Sequence, residues 1–370
     1  MKKIKFLSFI FLFTLSYGNA QTQDETTILY LLPFHLNEYV DNYQIFRNSA
    51  EIYQTKQFEM MGFWLGTKMA LQEYENTHKK INVIVRDVGT EVDALHKILN
   101  DTVLMNPVNM IIGPVYGSLF PVAASYAKEN NIVIVNPFST RYDFVENNPA
   151  VYKLIPPFLC RPEKIVTHFL SHSDDYNIIL WGDSVTTPEL IAYRYYFNEQ
   201  SIHFKEVHTL NVPMNIRKKN LIIALFEQPE RVIHGVHTLI NQQEEEINIT
   251  LVVPEKWFTI SELTEDFYTL PELYFFTNYF VDENSDRIKQ FQSNYTFYYE
   301  APAELAAYSY QGYDITRYFI DLFFADFIYE NVNFTPLSYN FQWKKIENGG
   351  FENIKTRLIR VKNLELIEIE

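Results

Sequence analysis

The chain has 370 residues, which suggests two or three domains at about 150 residues each. Hydrophobic residues make up 47% of the sequence, so a substantial buried core is expected. The net charge is −15, and no stripe of lysine and arginine residues is present. This composition argues against a nucleic-acid partner, because phosphate binding needs clustered cations.

Residues Met1–Ala20 have the features of a cleavable secretory signal. Three lysines flank the apolar stretch Phe6–Tyr17, which is too short to span a bilayer, and small residues lie at the expected cleavage point Gly18–Ala20. Loss of the three lysines takes the charge from −15 to −18. With no cysteine at that point and no later apolar span, we expect an exported periplasmic protein that is neither a lipoprotein nor membrane-spanning.

The first elements after the signal alternate between strand and helix. A short apolar strand is predicted over Ile28–Phe34, an irregular polar loop over 37–57 and an amphipathic helix over Phe58–Glu75. One side of this helix carries small residues four apart and is expected to lie close to the sheet: Gly62, Gly66 and Ala70. A second strand, Ile81–Val85, and a helix, Val92–Leu99, follow.

The stretch 108–140 forms a strand, helix, strand unit. Apolar runs at Val108–Ile112 and Ile132–Val135 predict buried strands, each stopped by a proline, and the alanine-rich segment Phe120–Lys128 predicts the helix between them. Such a unit implies a parallel sheet. The loops Pro114–Ser118 and Asn136–Thr140 then leave the carboxyl ends of neighbouring strands, where open α/β sheets bind ligands.

The second half repeats the alternation. Val151–Ile155 is predicted to cross out of the first unit. The helices predicted next are Glu163–Ser171, Pro188–Asn198, Arg217–Glu227, Thr238–Glu246 and Glu262–Tyr268. The strands predicted between them are Asn177–Trp181, Phe204–Leu210, Arg231–His237, Ile249–Val253 and Glu272–Phe276. Residues Thr277–Phe280 would return the chain to the first unit for two helices, Asp286–Phe297 and Ala303–Glu330. A closing hairpin is predicted from Leu337–Trp343 and Thr356–Val361.

The sequence carries none of the common signatures of catalysis. There is no glycine-rich dinucleotide or P-loop motif, no G-x-S-x-G elbow and no H-E-x-x-H pair, so an enzyme on a flavodoxin-like sheet is disfavoured. His168 and His172 lack a third ligand, and no metal or cofactor is predicted. Cys160 is the only cysteine, which excludes an internal disulfide and favours a plain buried thiol.

Two segments carry a resemblance to a known family. The segment IIGPVYGS followed by NIVIVNPFST resembles the first lobe of the type I periplasmic binding proteins, the leucine/isoleucine/valine-binding family. The segment FQSNYTFYYEAPAELAAYSYQGYDITRYFIDLF resembles the late helices of that family. The matching residues in the second segment are Ala306, Ala307, Tyr308, Tyr313 and Asp314. The resemblance extends from Ile28 to the C-terminus.

The resemblance implies an α/β protein with the two-lobed type I fold, each lobe a mainly parallel sheet flanked by helices. Lobe 1 is expected to comprise residues 28–153 and 278–335, and lobe 2 residues 155–276 and 337–370. A three-segment hinge is expected near Leu154, Thr277 and Pro336, with closure around a ligand by hinge motion.

The ligand site is expected in the cleft between the lobes. The candidate ligand-binding residues are Tyr116, Gly117, Ser118, Ser139 and Thr140 from lobe 1, with Asp183 and Trp257 from lobe 2. Backbone N–H groups and hydroxyls there suit an anionic or zwitterionic molecule. The chain departs from the family's amino-acid binders, because it has no Tyr-Gly pair after Trp181 and no acid after Val232–His237. Glu255 is a further candidate to replace these groups.

Two functions remain open. The first is a non-catalytic receptor for a small polar ligand such as an amino acid, peptide or cell-wall fragment, with an ABC transporter permease as partner. The second is an envelope scaffold or regulator that uses the same fold for contact with a cell-wall synthesis protein, a role that similar domains also take. Neither function involves nucleic acid or a cofactor.

Overall fold

The computed structural model describes residues 25–36, 59–170, 175–183, 185–226, 228–243, 247–263, 267, 270, 272–306, 308–363 and 365–369. The predicted signal and the predicted loop at 37–57 lie outside the described residues. Within the described part, no helix combines the length and the apolar character that a bilayer span requires.

The described chain forms strands and helices in alternation. The strands are β1 (Glu25–Leu32), β2 (Lys80–Asp87), β3 (Met110–Ile112), β4 (Val133–Asn136), β5 (Val151–Lys153), β6 (Tyr176–Gly182), β7 (Lys205–Val207), β8 (Lys219–Leu225), β9 (Ile249–Pro254), β10 (Leu273–Thr277), β11 (Trp343–Lys345), β12 (Phe351–Asn353), β13 (Arg357–Lys362) and β14 (Glu365–Ile369). The α-helices are α1 (Glu59–Gln72), α2 (Val92–Leu99), α3 (Thr102–Met105), α4 (Phe120–Glu129), α5 (Cys160–Phe169), α6 (Pro188–Glu199), α7 (Pro229–Gln243), α8 (Asp286–Tyr299) and α9 (Ser309–Phe324).

These strands build two seven-stranded sheets, in agreement with the predicted two-lobed α/β fold. The first has the order β11-β12-β5-β4-β3-β1-β2 and the second β14-β13-β10-β9-β8-β6-β7. Strands β1 to β5 and β12 run parallel in the first sheet, and β6 to β10 run parallel in the second. The antiparallel pairs among the described strands are β11 with β12, β10 with β13 and β13 with β14.

Both faces of the first sheet are covered by helices. Along β1 successive side chains alternate between two cores: Tyr30 packs with α1 and α9, whereas Leu29 and Leu31 pack with α2 and α4. The same arrangement holds in the second sheet, with α7 on one face and α5 and α6 on the other. Burial on both faces explains why these strands are continuous apolar runs.

The small side of α1 packs against α9 rather than against the sheet, which differs from the prediction. A Cβ on Gly66 would lie 1.8 Å from the backbone oxygen of Ser309, and one on Gly312 would lie 2.0 Å from the backbone oxygen of Phe63. The two helices therefore touch through their backbones. This contact requires glycine at both positions, because any Cβ would force the helices apart.

Two elements of the second lobe have the opposite secondary structure to the one predicted. The predicted helix at 217–227 is β8, and the predicted strand at 231–237 is part of α7, which also includes residues predicted as a separate helix. Residues 221–225 are an apolar run buried on both faces of the sheet. Val232, Val236 and Leu239 are buried at helical spacing. Short apolar runs do not distinguish strand from helix by periodicity alone, which accounts for the error.

The C-terminal region also differs from the prediction. The long helix predicted over 303–330 is interrupted at Tyr308, whose left-handed φ of 61° precedes the start of α9. The predicted hairpin is wrong in its pairing, because β11 pairs with β12 in the first sheet and β13 pairs with β14 in the second. Residues 337–370 are therefore divided between the two sheets and not confined to lobe 2.

Three segments connect the sheets. The chain leaves the first sheet after β5, returns after β10 and leaves again between β12 and β13. The first two crossings lie near Leu154 and Thr277, as predicted, whereas the third falls at residues 354–356 and not at Pro336. The remaining lobe boundaries stay a prediction.

Candidate functional site

The carboxyl edges of both sheets border the gap between the lobes. Each crossing segment starts at the carboxyl end of a parallel strand, namely β5, β10 or β12. The third crossing enters β13, which is antiparallel to β10 and begins beside its carboxyl end, where Arg357 pairs with Thr277. The loops that follow β1, β3 and β4 in one lobe, and β6, β8 and β9 in the other, consequently lie on the interlobe side.

The loop after β1 is fixed by a carboxylate at the end of β2. Asp87 Oδ1 accepts hydrogen bonds from the backbone N–H groups of Phe34 (3.0 Å) and His35 (3.3 Å), and Oδ2 accepts one from Leu36 (2.9 Å). His35 Nε2 lies 2.9 Å from the hydroxyl of Tyr116. Tyr116 is thus held in place from the neighbouring loop, and sequence analysis did not identify His35.

The two predicted ligand loops of lobe 1 are joined by Arg141. Asn136 Oδ1 accepts from the backbone N–H of Ser139 (2.7 Å), and Ser139 Oγ accepts from the backbone N–H of Arg141 (3.1 Å). The Arg141 guanidinium donates to the carbonyl of Gly117 (3.4 Å) and pairs with Asp143 at 2.5 Å. The structure therefore brings Gly117 and Ser139 together through a residue that the sequence analysis missed.

Accessibility differs among these residues. Ser118 and Thr140 are exposed, whereas Tyr116, Gly117 and Ser139 are half-buried. The side-chain amide nitrogen of Asn136 is buried and has no hydrogen-bond partner among the described residues. Hydroxyl groups and backbone N–H groups at this edge are available to a polar molecule.

Aromatic side chains lie behind these loops. Phe138 packs against Tyr308 with ring centroids 4.7 Å apart and against Phe63 at 6.0 Å. Tyr279, on the second crossing, has its pKa raised by burial and further by the neighbouring Glu255 carboxylate and Tyr308. Tyr279 therefore lies near groups of both lobes.

In lobe 2, Asp183 is already paired within its own lobe. Its carboxylate lies 3.2 Å from the Arg231 guanidinium, and its side chain is only 11% exposed. Arg231 also donates to the carbonyl of His208 (2.9 Å) and lies over the ring of Phe226. Asp183 lies at the carboxyl edge as expected, but its charge is neutralised by a protein cation.

Trp257 occupies the core of the second lobe. It is 1% exposed, its ring is parallel to that of Phe267 at 6.5 Å, and its Nε1 donates to the carbonyl of Phe226 (3.4 Å). The structure does not bring this ring together with the loops of lobe 1. A tryptophan directly after a strand is compatible with a core position as well as with a cleft position, and sequence alone could not choose.

Glu255 is the acid at the end of β9, and it forms no direct ion pair among the described residues. Its Oε1 lies 3.1 Å from the hydroxyl of Thr277, at the second crossing, and no basic side chain of the described residues lies within 4.0 Å of its carboxylate. Burial raises the pKa of Glu255, whereas the Thr277 hydroxyl and the charge of Arg161, which is itself paired with Glu189 at 2.6 Å, act in the opposite direction. Glu255 is therefore a carboxylate of lobe 2 that has no direct ion pair among the described residues and can pair with a ligand cation.

The described part of the chain has no candidate metal site, and its cysteine is not an activated thiol. No group of three or more His, Cys, Asp or Glu residues that could hold a metal is present there. His168 packs against Phe169 and Tyr274, and burial lowers its pKa. Cys160 begins α5 and is half-buried, and burial together with Glu352 raises the pKa of its thiol to about 12.

Two facing carboxyl edges, three crossing segments and a polar loop pair define the type I periplasmic binding fold. Comparison with solved structures agrees. A protein named as a branched-chain amino acid ABC transporter from Rhodospirillum rubrum is 13% identical, with 93% of this chain and 100% of that chain aligned and a TM-score of 0.65. An ABC transporter substrate-binding protein from Desulfitobacterium hafniense in complex with Leu is 13% identical over 93% and 100% of the chains, with a TM-score of 0.55.

A further similar structure is full-length LpoA from Haemophilus influenzae, at 13% identity and a TM-score of 0.61. The alignment covers 94% of this chain but 59% of LpoA. At such identities the likeness is one of fold. No protein-family model and no curated protein matches the sequence.

Proposed function

We propose that this chain is an exported, non-catalytic solute-binding protein that holds a small polar ligand between its lobes. The observation that carries the proposal is the placement of polar loops at the carboxyl edges of two sheets joined by three crossing segments. Ligands of open α/β sheets bind at such edges, and closure about a hinge sequesters them. An ABC transporter permease would be the acceptor of the ligand.

The ligand class follows from the groups at the two edges. The N–H groups of Gly117, Ser118 and Thr140 and the hydroxyls of Ser118, Ser139 and Thr140 are donors that suit a carboxylate, whereas the Ser139 N–H already binds Asn136. Glu255, which forms no direct ion pair among the described residues, offers a carboxylate from the opposite lobe, and this suits an ammonium group. A zwitterion such as an amino acid or a short peptide satisfies both, and a cell-wall peptide carries the same groups.

The experiment is a thermal-shift screen of the whole mature chain. Amino acids, short peptides and cell-wall fragments are added in turn, and a ligand at 100 times its Kd should stabilise the folded state by about 2.7 kcal/mol. A Ser118→Trp variant would fill the edge and abolish the shift. Ser125→Trp, on the exposed side of α4, is the matched control and should retain it. An unchanged melting temperature across the library would contradict the proposal.

A second candidate is an envelope scaffold or regulator of cell-wall synthesis. The observation that favours it is the pairing of Asp183 with Arg231 and the burial of Trp257, which leave fewer ligand groups in lobe 2 than expected. Affinity capture from envelope extract distinguishes the two. A stoichiometric protein partner, together with a flat ligand screen, would favour the scaffold.

A further inference from the structure

A cavity lies in the first lobe, outside the interlobe loops. Its volume is about 640 Å³, within the range of small-molecule sites. It is formed by α9, by the segment that follows α9 and by Lys355 of the third crossing. None of the residues that line it belongs to the carboxyl-edge loops described above.

One wall of the cavity is a stack of aromatic rings. Tyr318 and Phe341 are stacked with centroids 4.1 Å apart, and Phe341 and Trp343 are nearly parallel, at 9° and 6.0 Å. Trp343 Nε1 donates to the Tyr318 hydroxyl at 2.7 Å. Phe334 meets Tyr318 edge-on at 5.6 Å. Because each ring is held by its neighbours, the wall is preformed and does not need to be ordered by a ligand.

Polar side chains complete the lining. Asn340, Gln342, Glu330 and Lys355 border the cavity, and their side chains have no hydrogen-bond or ion-pair partner among the described residues. The backbones of Asn340 and Gln342 are nevertheless fixed, because Asn353 Nδ2 donates to the Asn340 carbonyl (3.0 Å) and Asn353 Oδ1 accepts from the Gln342 N–H (2.9 Å). Two free amides thus extend from a rigid support beside the ring stack.

The aromatic rings and polar side chains of the lining favour one class of ligand over others. An aliphatic ligand would leave the amides without a function. Lys355 and Glu330 border the cavity without pairing with each other, and together they give its lining no net formal charge that would select an anion or a cation. A saccharide ring presents a face of C–H groups, which packs on the negative face of an aromatic ring, and a rim of hydroxyls, which amides bind as both donors and acceptors. The charges and the lining therefore favour a neutral sugar.

We propose that the cavity bounded by Tyr318, Phe341 and Trp343 binds a neutral pyranose saccharide, packed on the half-buried rings of Phe341 and Trp343 and hydrogen-bonded by the side chains of Asn340 and Gln342. Tyr318 is only 6% exposed and supports these rings from behind. The site is separate from the interlobe site and holds whether or not the interlobe ligand is an amino acid. It adjoins the third crossing through Lys355.

The test is a titration of the full chain with maltotriose, cellotriose and tri-N-acetylchitotriose. Heat of binding and tryptophan fluorescence are recorded up to about 5 mM sugar, which covers weak binding. At least one sugar should bind. Asn340→Ala and Gln342→Ala should each weaken it about fivefold, the loss expected for a single hydrogen bond. Neither side-chain amide has a partner among the described residues, so both variants should keep the parent melting temperature.

Control variants separate this site from nonspecific effects. Asn198→Ala removes an exposed amide on α6 in the other lobe and should leave sugar affinity unchanged. Trp343→Phe keeps an aromatic face and should retain binding while losing the fluorescence signal. Absence of binding by all three sugars, or equal affinity in the parent and both amide variants, would overturn the proposal. Binding of a planar aromatic probe such as N-acetyltryptophanamide, without any sugar, would also overturn it.

Discussion

Asp314 and Ser338 join the body of the first lobe to the segment that borders the second crossing. Asp314 Oδ2 accepts from both the backbone N–H (2.6 Å) and the hydroxyl (2.8 Å) of Ser338, and Oδ1 accepts from the N–H of Leu337 (2.7 Å). The carbonyl of Ser338 in turn accepts from the N–H of Phe280, whose own carbonyl accepts from the Arg357 guanidinium. One buried carboxylate therefore supports two of the three crossings.

Asp314 should make stability depend on pH. Burial raises its pKa from 3.8 to about 6 despite the donors around it. Between pH 4 and pH 6 the folded chain keeps the proton that the unfolded chain has lost, so the free energy of unfolding falls as pH rises through this window. The fall amounts to about 3 kcal/mol, is absent below the unfolded pKa and is complete above the folded one.

Asp314→Asn should remove this dependence. Urea unfolding at pH 4, 5, 6 and 7 gives the free energy for both chains, and the difference between them should change across the window, because titration of all other groups cancels. The variant itself should lose about 1–3 kcal/mol at low pH, since an amide nitrogen would face backbone donors. Parallel stability curves for the two chains would refute the assignment.

The contact between α1 and α9 should tolerate no side chain at its glycines. Gly66→Ala and Gly312→Ala each place a Cβ within 2.0 Å of a backbone oxygen, so each should destabilise the fold by about 2–4 kcal/mol and lower the melting temperature by several degrees. Gly117→Ala is the matched control. Its nearest neighbour would lie 3.9 Å away, and its melting temperature should be unchanged.

The buried pair Lys153–Glu352 should be strongly coupled. Lys153 Nζ lies 2.8 Å from Glu352 Oε1 and 2.5 Å from the carbonyl of Ile155, with the lysine fully buried. Lys153→Met or Glu352→Leu leaves a buried charge unpaired and should cost about 3–5 kcal/mol, whereas the double variant should recover most of the loss. A double-mutant cycle by urea unfolding measures the coupling, and additive losses would contradict it.

Cys160 should be nearly inert in the folded protein. With its thiol pKa raised to about 12, the reactive thiolate is a minor species at pH 8. Modification by iodoacetamide should be at least about 100-fold slower than in the same chain unfolded in guanidinium chloride. The unfolded chain supplies the reference rate, and similar rates in both states would show that the thiol is accessible and ionised.

Glu255 should be the ligand's anionic partner if the ligand is zwitterionic. Glu255→Gln should weaken binding of the molecule found in the thermal-shift screen by about 10–100-fold, as expected for loss of one charged hydrogen bond. Glu262→Gln, an exposed acid on the following turn, changes the net charge equally and should leave affinity unchanged. Equal affinity in both variants would exclude Glu255 from the site.

Local sequence pattern is enough to assign some elements of the fold and fails for others. The run Val108–Ile112 and the alanine-rich stretch after it were assigned correctly as strand and helix, because one element follows another within a short, strongly patterned segment. Strand β8 was mistaken for a helix and part of α7 for a strand. The apolar run of five residues in β8 shows neither the strand period nor the helix period, so its pattern could not distinguish the two. Only its position in the middle of the sheet makes it a strand.

The candidate site could be predicted only in part. Loop residues such as Ser139 follow directly from the βαβ order, because that order fixes which strand ends share an edge. The partners Arg141 and Arg231 were not predictable, since each acts through a contact that depends on how loops fold over one another. The same holds for Trp257, whose burial is set by helices and turns packed around it.

The sequence by itself determined the alternation of strands and helices, the two-lobed architecture and two of the three crossings, because these depend on hydrophobic pattern and chain order. Tertiary structure alone decided which charges are already neutralised, which glycines allow helices to touch and where the C-terminal strands pair. Those properties depend on distances between residues far apart in the chain, such as the 243 positions between Gly66 and Ser309, and no local pattern encodes them.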